Sequence, residues 1–232
     1  MSRKERKKKP KRMVKDKFME VEQKRPPLQP RTPNQATYIE AIKRFTQTIS
    51  LGCAGTGKTY IAATMAAQMY ARGQIDKIIL TRPNVPSSRS LGAFKGTLEE
   101  KMAPWTAPVV DVLRKYLGGA YENAVRKQAI IVAPFETMRG ASFNNAFVIL
   151  DEAQNTTPEE MKMFVTRIGE NCRVVINGDI RQSDVRQESG LSKIIALAQR
   201  HNLPVPVIEF GIDDVVRSKE CKMWIEAFDK TS

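Results

Sequence analysis

The chain has 232 residues, 41% of them hydrophobic, and a formal net charge of +13. That is enough apolar material for one large domain or two small ones, and no apolar run reaches the roughly 18 residues of a membrane span. No apolar stretch follows the basic N-terminus, which argues against a secretory signal. Three cysteines without metal-ligand spacing, Cys53, Cys172 and Cys221, argue against a disulfide framework and for a reducing, cytoplasmic setting.

The charge is concentrated at the start. Residues 1–31 hold 13 Lys and Arg against 4 Asp and Glu. RKERKKKPKR (3–12) is a like-charge block with no apolar face, and QKRPPLQPRTP (23–33) is punctuated by proline. Both predict a disordered or extended arm over 1–31 ahead of one folded domain over 32–232. Such an arm is either a solubilising tail or a device for contacting nucleic-acid phosphates.

TPNQATYIEAIKRFTQ (32–47) predicts a helix, with Ile39, Ile42 and Phe45 at helical spacing and Thr32 or Asn34 as its cap. TISLG (48–52) is short and β-branched and predicts a strand; YIAATMAAQMYA (60–71) predicts a buried helix. KIILTRP (77–83) is a second strand. The stretch 84–104 has no clear period and is expected to be a long connection. APVVDVLRKYLGG (107–119) is an amphipathic helix, and QAIIVAP (128–134) and AFVILDE (146–152) are strands. TTPEEMKMFVTRIG (156–169) is a helix, CRVVINGD (172–179) a strand, SGLSKIIALAQR (189–200) a helix and PVIEFG (206–211) a strand. DDVVRSKECKMWIEAF (213–228) closes the chain as a helix. The single histidine, His201, falls at a helix end, where capping is the expected role. Alternating strands and helices, with strands apolar on both faces, predict an α/β fold with a mainly parallel sheet covered on both sides. Ligands of such sheets sit at the carboxyl ends of the strands.

One of those strand ends carries GCAGTGKT (52–59), which fits the phosphate-binding pattern G-x-x-x-x-G-K-[ST] between a strand and a helix. Glycine lets the backbone of Gly52, Cys53, Ala54, Gly55, Thr56 and Gly57 curl so that successive N–H groups face an anion. Lys58 is expected to reach the β- and γ-phosphates of a nucleotide, and the Thr59 hydroxyl to ligate Mg²⁺. Asp151 ends an apolar strand, where a carboxylate is expensive unless a cation compensates it, so it is the second candidate for the metal. Glu152 follows as candidate general base for the attacking water. Within NGDIRQSD (177–184), Gln182 offers donors and acceptors for the γ-phosphate or the water. Asn177-Gly178-Asp179 fits a local Asx turn equally well.

The series TPNQATYIEAI, AGTGKT, TRPN, LGAFKG, APFETMRG, FVILDEAQNTT, NGDIRQSD and DVVRS, in this order, resembles the PhoH family of P-loop ATPases, themselves similar to superfamily 1 helicase cores. The resemblance spans about residues 30–230. It implies a RecA-like domain, ATP and Mg²⁺ as cofactors, and action on RNA or single-stranded DNA. It implies that Gln35 reads adenine and that Arg217, in DVVRS, neutralises phosphate charge. It makes Arg82 and Arg139 candidates for phosphate or polynucleotide contact. The chain departs from the family at NVPSSRSLGAFKG, where serines, Arg89 and Lys95 replace the usual residues, and at Ala141-Ser142-Phe143 after MRG. Arg89 and Lys95 are further nucleic-acid candidates.

The leading expectation is therefore an ATPase coupled to nucleic-acid binding, as a helicase or translocase. The alternatives are a P-loop kinase acting on a nucleoside or small molecule, a GTPase switch, and a nucleotide-dependent RNA-binding scaffold. With Arg217 placed in the last helix, far in sequence from Lys58, a head-to-tail homo-oligomeric ring is expected, a hexamer by resemblance, in which each subunit's Arg217 serves its neighbour.

Overall fold

The computed structural model describes residues 27–83, 98–138, 142–180 and 188–229. Its elements are α1 (Pro33–Arg44), β1 (Gln47–Leu51), α2 (Lys58–Ala71), β2 (Lys77–Arg82), α3 (Leu98–Leu117), α4 (Ala120–Arg126), β3 (Ile130–Pro134), β4 (Ala146–Leu150), α5 (Pro158–Val165), β5 (Arg173–Gly178), α6 (Gly190–Arg200), β6 (Val207–Glu209) and α7 (Lys219–Asp229). The six strands form one sheet in the order β3-β2-β4-β5-β1-β6, and every pairing is parallel.

The burial of successive strand residues explains the two layers. Side chains alternate across a strand, and here both sets are apolar. Ile78, Leu80, Phe147, Ile149 and Val175 pack with α1, α2, α3 and α4 on one face. Ile79, Val148, Leu150, Val174 and Ile176 pack with Met161, Phe164 and Leu191 of α5 and α6 on the other. The result is the expected α/β P-loop NTPase architecture.

Local chemistry sets the helix starts. Thr32 caps α1, its Oγ1 accepting from the Gln35 N–H at 3.2 Å, with Pro33 in the first turn. Thr157 and Glu160 form a reciprocal capping box ahead of α5. Tyr38, fully buried, ties α1 to the sheet: its hydroxyl donates to Asn177 Oδ1 at 2.9 Å and its ring meets Phe210 edge-on at 5.5 Å. His201 is the C-cap of α6, as its position in the sequence suggests.

Three expectations require correction. The connection expected to run to residue 104 is helical from Leu98, and α3 continues through Pro104 and Pro108. Each proline removes one helix hydrogen bond, but Val109, Leu113 and Leu117, four apart, are buried on one face of α3 and hold it in the core. The short helix α4, buried through Tyr121 and Ala124, has no counterpart among the elements expected from the sequence. The helix expected from residue 213 begins only at Lys219, after a short 3-10 turn over Ile212–Asp214. The Asp214 carboxylate accepts from the Gly211 N–H at 2.9 Å and from Asn34 Nδ2 at 2.8 Å, and the Val216 N–H donates to Gly55 O at 3.0 Å. Those bonds hold the 211–217 backbone onto α1 and the phosphate loop, so it cannot make the i→i−4 bonds of a helix.

Residues 27–31 also belong to the body. Leu28 packs against the core, and the Arg31 N–H donates to Gln35 Oε1 at 2.8 Å.

Candidate functional site

β1, β4 and β5 end side by side, with Leu51 level with Gly178 and Leu150 level with Ile176. The segments leaving these three ends therefore converge. They line one cavity of about 920 Å³, which Gly52, Ala54, Gly55, Gly57, Lys58, Thr59, Asp151, Glu152, Gly178 and Asp179 share with Gln35, Arg82 and Arg217.

The phosphate loop has the conformation its glycines permit. Gly52, Gly55 and Gly57 all take positive φ, at 131°, 88° and 87°, a region L side chains avoid. A Cβ on Gly55 would lie 2.9 Å from Arg217 Cγ, so that side chain rests directly on the loop. Lys58 Nζ donates to Gly52 O at 2.6 Å and Cys53 O at 2.8 Å, and to Thr56 Oγ1 at 3.3 Å. Its ammonium thus sits among the loop's own oxygens. Burial lowers its pKa, opposed by the negative groups around it, Asp151, Asp179 and Glu152 among them.

Thr59 Oγ1 donates to Asp151 Oδ1 at 3.2 Å, across 92 residues of sequence. Asp151 and Glu152 lie just beyond β4, which leaves the ladder earlier than the expected strand 146–152. Burial pushes the Asp151 carboxyl above the usual carboxylate range; the Glu152 charge adds to this, while Arg82, the Thr59 hydroxyl and Lys58 oppose it. A divalent cation beside Thr59 and Asp151 would remove that penalty. Among the described residues there is no group of three or more His, Cys, Asp and Glu placed to hold a metal. Mg²⁺ is held by one or two protein oxygens with phosphates and waters completing its shell, and Thr59 and Asp151 could supply those two.

Glu152 has left-handed backbone, φ 54° and ψ 40°. This is an uncommon and costly conformation for a residue with a Cβ, of a kind concentrated at functional sites. It turns the chain sharply off β4. Its carboxylate Oε2 accepts from Gln154 Nε2 at 2.6 Å.

Gln35 is buried, and both ends of its amide are engaged: Oε1 accepts from the Arg31 N–H, and Nε2 donates to Thr56 O at 2.9 Å. In this arrangement it braces the phosphate loop against the start of α1. Arg82, a candidate for phosphate or polynucleotide contact, ends β2 at the cavity, where its charge acts on Asp151. Arg217 is in the loop before α7, over its own chain's phosphate loop, and not in the last helix. The expectation of a ring depends on Arg217 being out of reach of its own nucleotide, and this placement removes that support. Gln182, Arg89, Lys95, Arg139 and the arm over 1–26 lie outside the described residues.

Two groups of residues escape sequence reasoning. Gln154 is one, addressed below. The other is the apolar side of the cavity, lined by Leu28, Pro108, Val112 and Tyr116 with Lys115 nearby. α3 carries no motif, and only its packing against α2 brings it to the site. Among the described residues, no helix is long and apolar enough to cross a membrane.

The comparisons with known proteins agree with this site. A family model described as "PhoH-like protein" matches residues 27–229. Protein PhoH of Escherichia coli K12 is 41% identical over 207 residues, covering 87% of this chain and 58% of that protein. The PhoH-like protein of Bacillus subtilis is 42% identical over 204 residues, covering 86% of this chain and 63% of that protein. The chain therefore spans less than two thirds of the length of these relatives. Among solved structures, the UvsW helicase of bacteriophage T4 overlays with a TM-score of 0.49 at 13% identity, covering 84% of this chain and 67% of that one, a likeness too weak to add to the family match. With a phosphate loop on β1, an acid pair past β4 and a family match over nearly all of its folded body, this chain is a P-loop NTPase and belongs to the PhoH-like family.

Proposed function

We propose that the chain hydrolyses ATP with Mg²⁺ and couples this to binding RNA or single-stranded DNA. The observation that carries the reading is the Thr59–Asp151 hydrogen bond at the mouth of the phosphate loop, with Glu152 next in the chain. The pair juxtaposes the two side chains that would hold Mg²⁺, and Glu152, next in the chain, would lie beside the γ-phosphate. Bound there, Mg²⁺ would neutralise charge on the β- and γ-phosphate oxygens. Lys58 would exchange its loop carbonyls for phosphate oxygens. Glu152 would take a proton from the attacking water as its oxygen bonds to the γ-phosphorus and the bond to the bridging oxygen breaks, releasing ADP and phosphate. Arg217 would face the charge on the transferring group, with Gln182 a further candidate for orienting the water. The nucleoside would occupy the apolar side of the cavity, and Gln35 would read adenine by exchanging Arg31 or Thr56 for the base edge.

The test is phosphate release from ATP and GTP, with and without single-stranded RNA or DNA, for the wild type and Lys58→Ala. ATP turnover that nucleic acid stimulates, and that Lys58→Ala abolishes by weakening nucleotide binding, is the expected result. A strong GTP preference would favour a GTPase switch. Nucleotide binding without turnover would favour a scaffold, and phosphate passed to an added acceptor would favour a kinase.

The nucleic-acid half has its own test. Residues 1–26 carry 12 Lys and Arg, and residues 27–31 are needed by the folded body, so the deletion removes 1–26 alone. Affinity for single-stranded nucleic acid should fall, and the slope of log affinity against log salt should flatten by about 0.7 for each phosphate that the arm no longer neutralises. Turnover without nucleic acid should not change. An unaltered salt slope would reduce the arm to a solubilising tail.

A further inference from the structure

Gln154 is 1% exposed and joins three parts of the site. Its Nε2 donates to Glu152 Oε2 at 2.6 Å. Its Oε1 accepts from the Asp179 N–H, the first backbone group past β5, at 3.0 Å. Its own carbonyl accepts from Ser189 Oγ, the N-cap of α6, at 2.8 Å. Gly178 is shaped around it: a Cβ there would lie 3.0 Å from Gln154 Oε1. A buried amide held from both sides has little freedom to turn, since a lost partner leaves a desolvated polar group unpaired. Glu152, by contrast, is half-exposed at a sharp left-handed bend, and the bond from Gln154 is what ties its carboxylate to the body of the domain.

We propose that Gln154 is the positioning residue for Glu152, the buried amide that fixes the carboxylate's direction from the exit of β5. This rests on the reading of Glu152 as the base. One carboxylate oxygen, Oε2, is occupied by the amide. Oε1 is thereby left as the oxygen for the attacking water. The Asp179 N–H locks the amide from behind, so the position of Glu152 depends on β5 as well as on its own strand. Glutamine suits this place because it alone among residues of its size presents a donor to the carboxylate and an acceptor to the backbone N–H.

The test uses the full chain and two substitutions. Gln154→Leu keeps the bulk of the side chain and removes both hydrogen bonds. Gln154→Glu keeps an acceptor for the Asp179 N–H but replaces the donor with a charge that repels Glu152. Either should lower kcat for ATP by about 10- to 100-fold, the scale of misplacing a reacting group by an ångström, while KM is essentially unchanged. In a Glu152→Gln background neither should slow turnover further, because the group being positioned is already gone. Without nucleotide, the melting-temperature shifts of Gln154→Leu and Glu152→Ala, each of which removes the hydrogen bond, should fall short of additivity, reporting the same contact independently of turnover. If leucine unfolds the chain, Gln154→Glu decides alone. Wild-type kcat in a folded Gln154→Glu chain whose Glu152→Gln counterpart is inactive would overturn this inference alone, as would the same fold-loss in the presence and absence of Glu152. Full turnover in Glu152→Gln would overturn the base assignment and this inference with it.

Discussion

Glu152→Gln is expected to bind ATP as the wild type does and to hydrolyse it about 10²–10⁴-fold more slowly, the usual contribution of a positioned general base. The substitution keeps the size of the side chain and removes only its capacity to take a proton. Little else should change. The left-handed backbone at residue 152 is set by the exit from β4 and the turn over Ala153–Asn155, and Lys58, Thr59 and Asp151 are untouched. Turnover measured by phosphate release, beside affinity for a fluorescent nucleotide, separates the two steps. Unchanged turnover would remove Glu152 from the chemistry. Loss of affinity in parallel with turnover would assign it to binding.

Arg217→Ala carries the larger expected effect. An arginine that neutralises charge on the transferring phosphoryl group contributes about 10³–10⁵-fold to turnover, and Arg217 should show a loss on this scale. Its side chain rests on Gly55, and the neighbouring Val216 N–H is bonded to Gly55 O. Asp214 anchors the segment: burial pushes its carboxyl up, but hydrogen bonds from Thr32, Asn34 and the Gly211 N–H bring it below the usual carboxylate range. The guanidinium is thus expected to serve the nucleotide of its own chain. Mixing Arg217→Ala with Lys58→Ala chains should therefore restore no activity, since neither has both an intact loop and an intact arginine. Recovery on mixing would show that the arginine acts between chains and would reinstate the ring. Arg217→Lys should recover part of the loss, because charge is kept while the planar fork is not.

Both variants probe a site that is only partly legible in one dimension. The phosphate loop is legible because its chemistry is local: glycines, lysine and threonine must follow one another for the backbone to wrap an anion. Asp151 and Glu152 are legible because two acids at the end of an unbroken apolar strand need a reason to be there. The sheet is legible because β2, β4 and β5 are apolar at consecutive positions, which only a strand covered on both faces tolerates.

Features written in adjacent residues thus follow from the amino-acid order: the two-faced strands, the phosphate loop, the acid pair, and the caps at Thr32 and His201. Other features depend on which strands lie side by side, and folding alone settles them. The order β4-β5-β1 sets Gln154 against Asp179. The hydrogen bonds of Asp214 with Asn34 and of Val216 with Gly55 hold Arg217 off the helix its sequence favours and onto its own phosphate loop. Burial of Val109, Leu113 and Leu117 carries α3 through two prolines to wall the cavity. In each of these cases the deciding partner is distant along the chain, so local propensity and spacing hold no record of it; the hydrogen bonds and apolar contacts of the folded state outweigh the local preference.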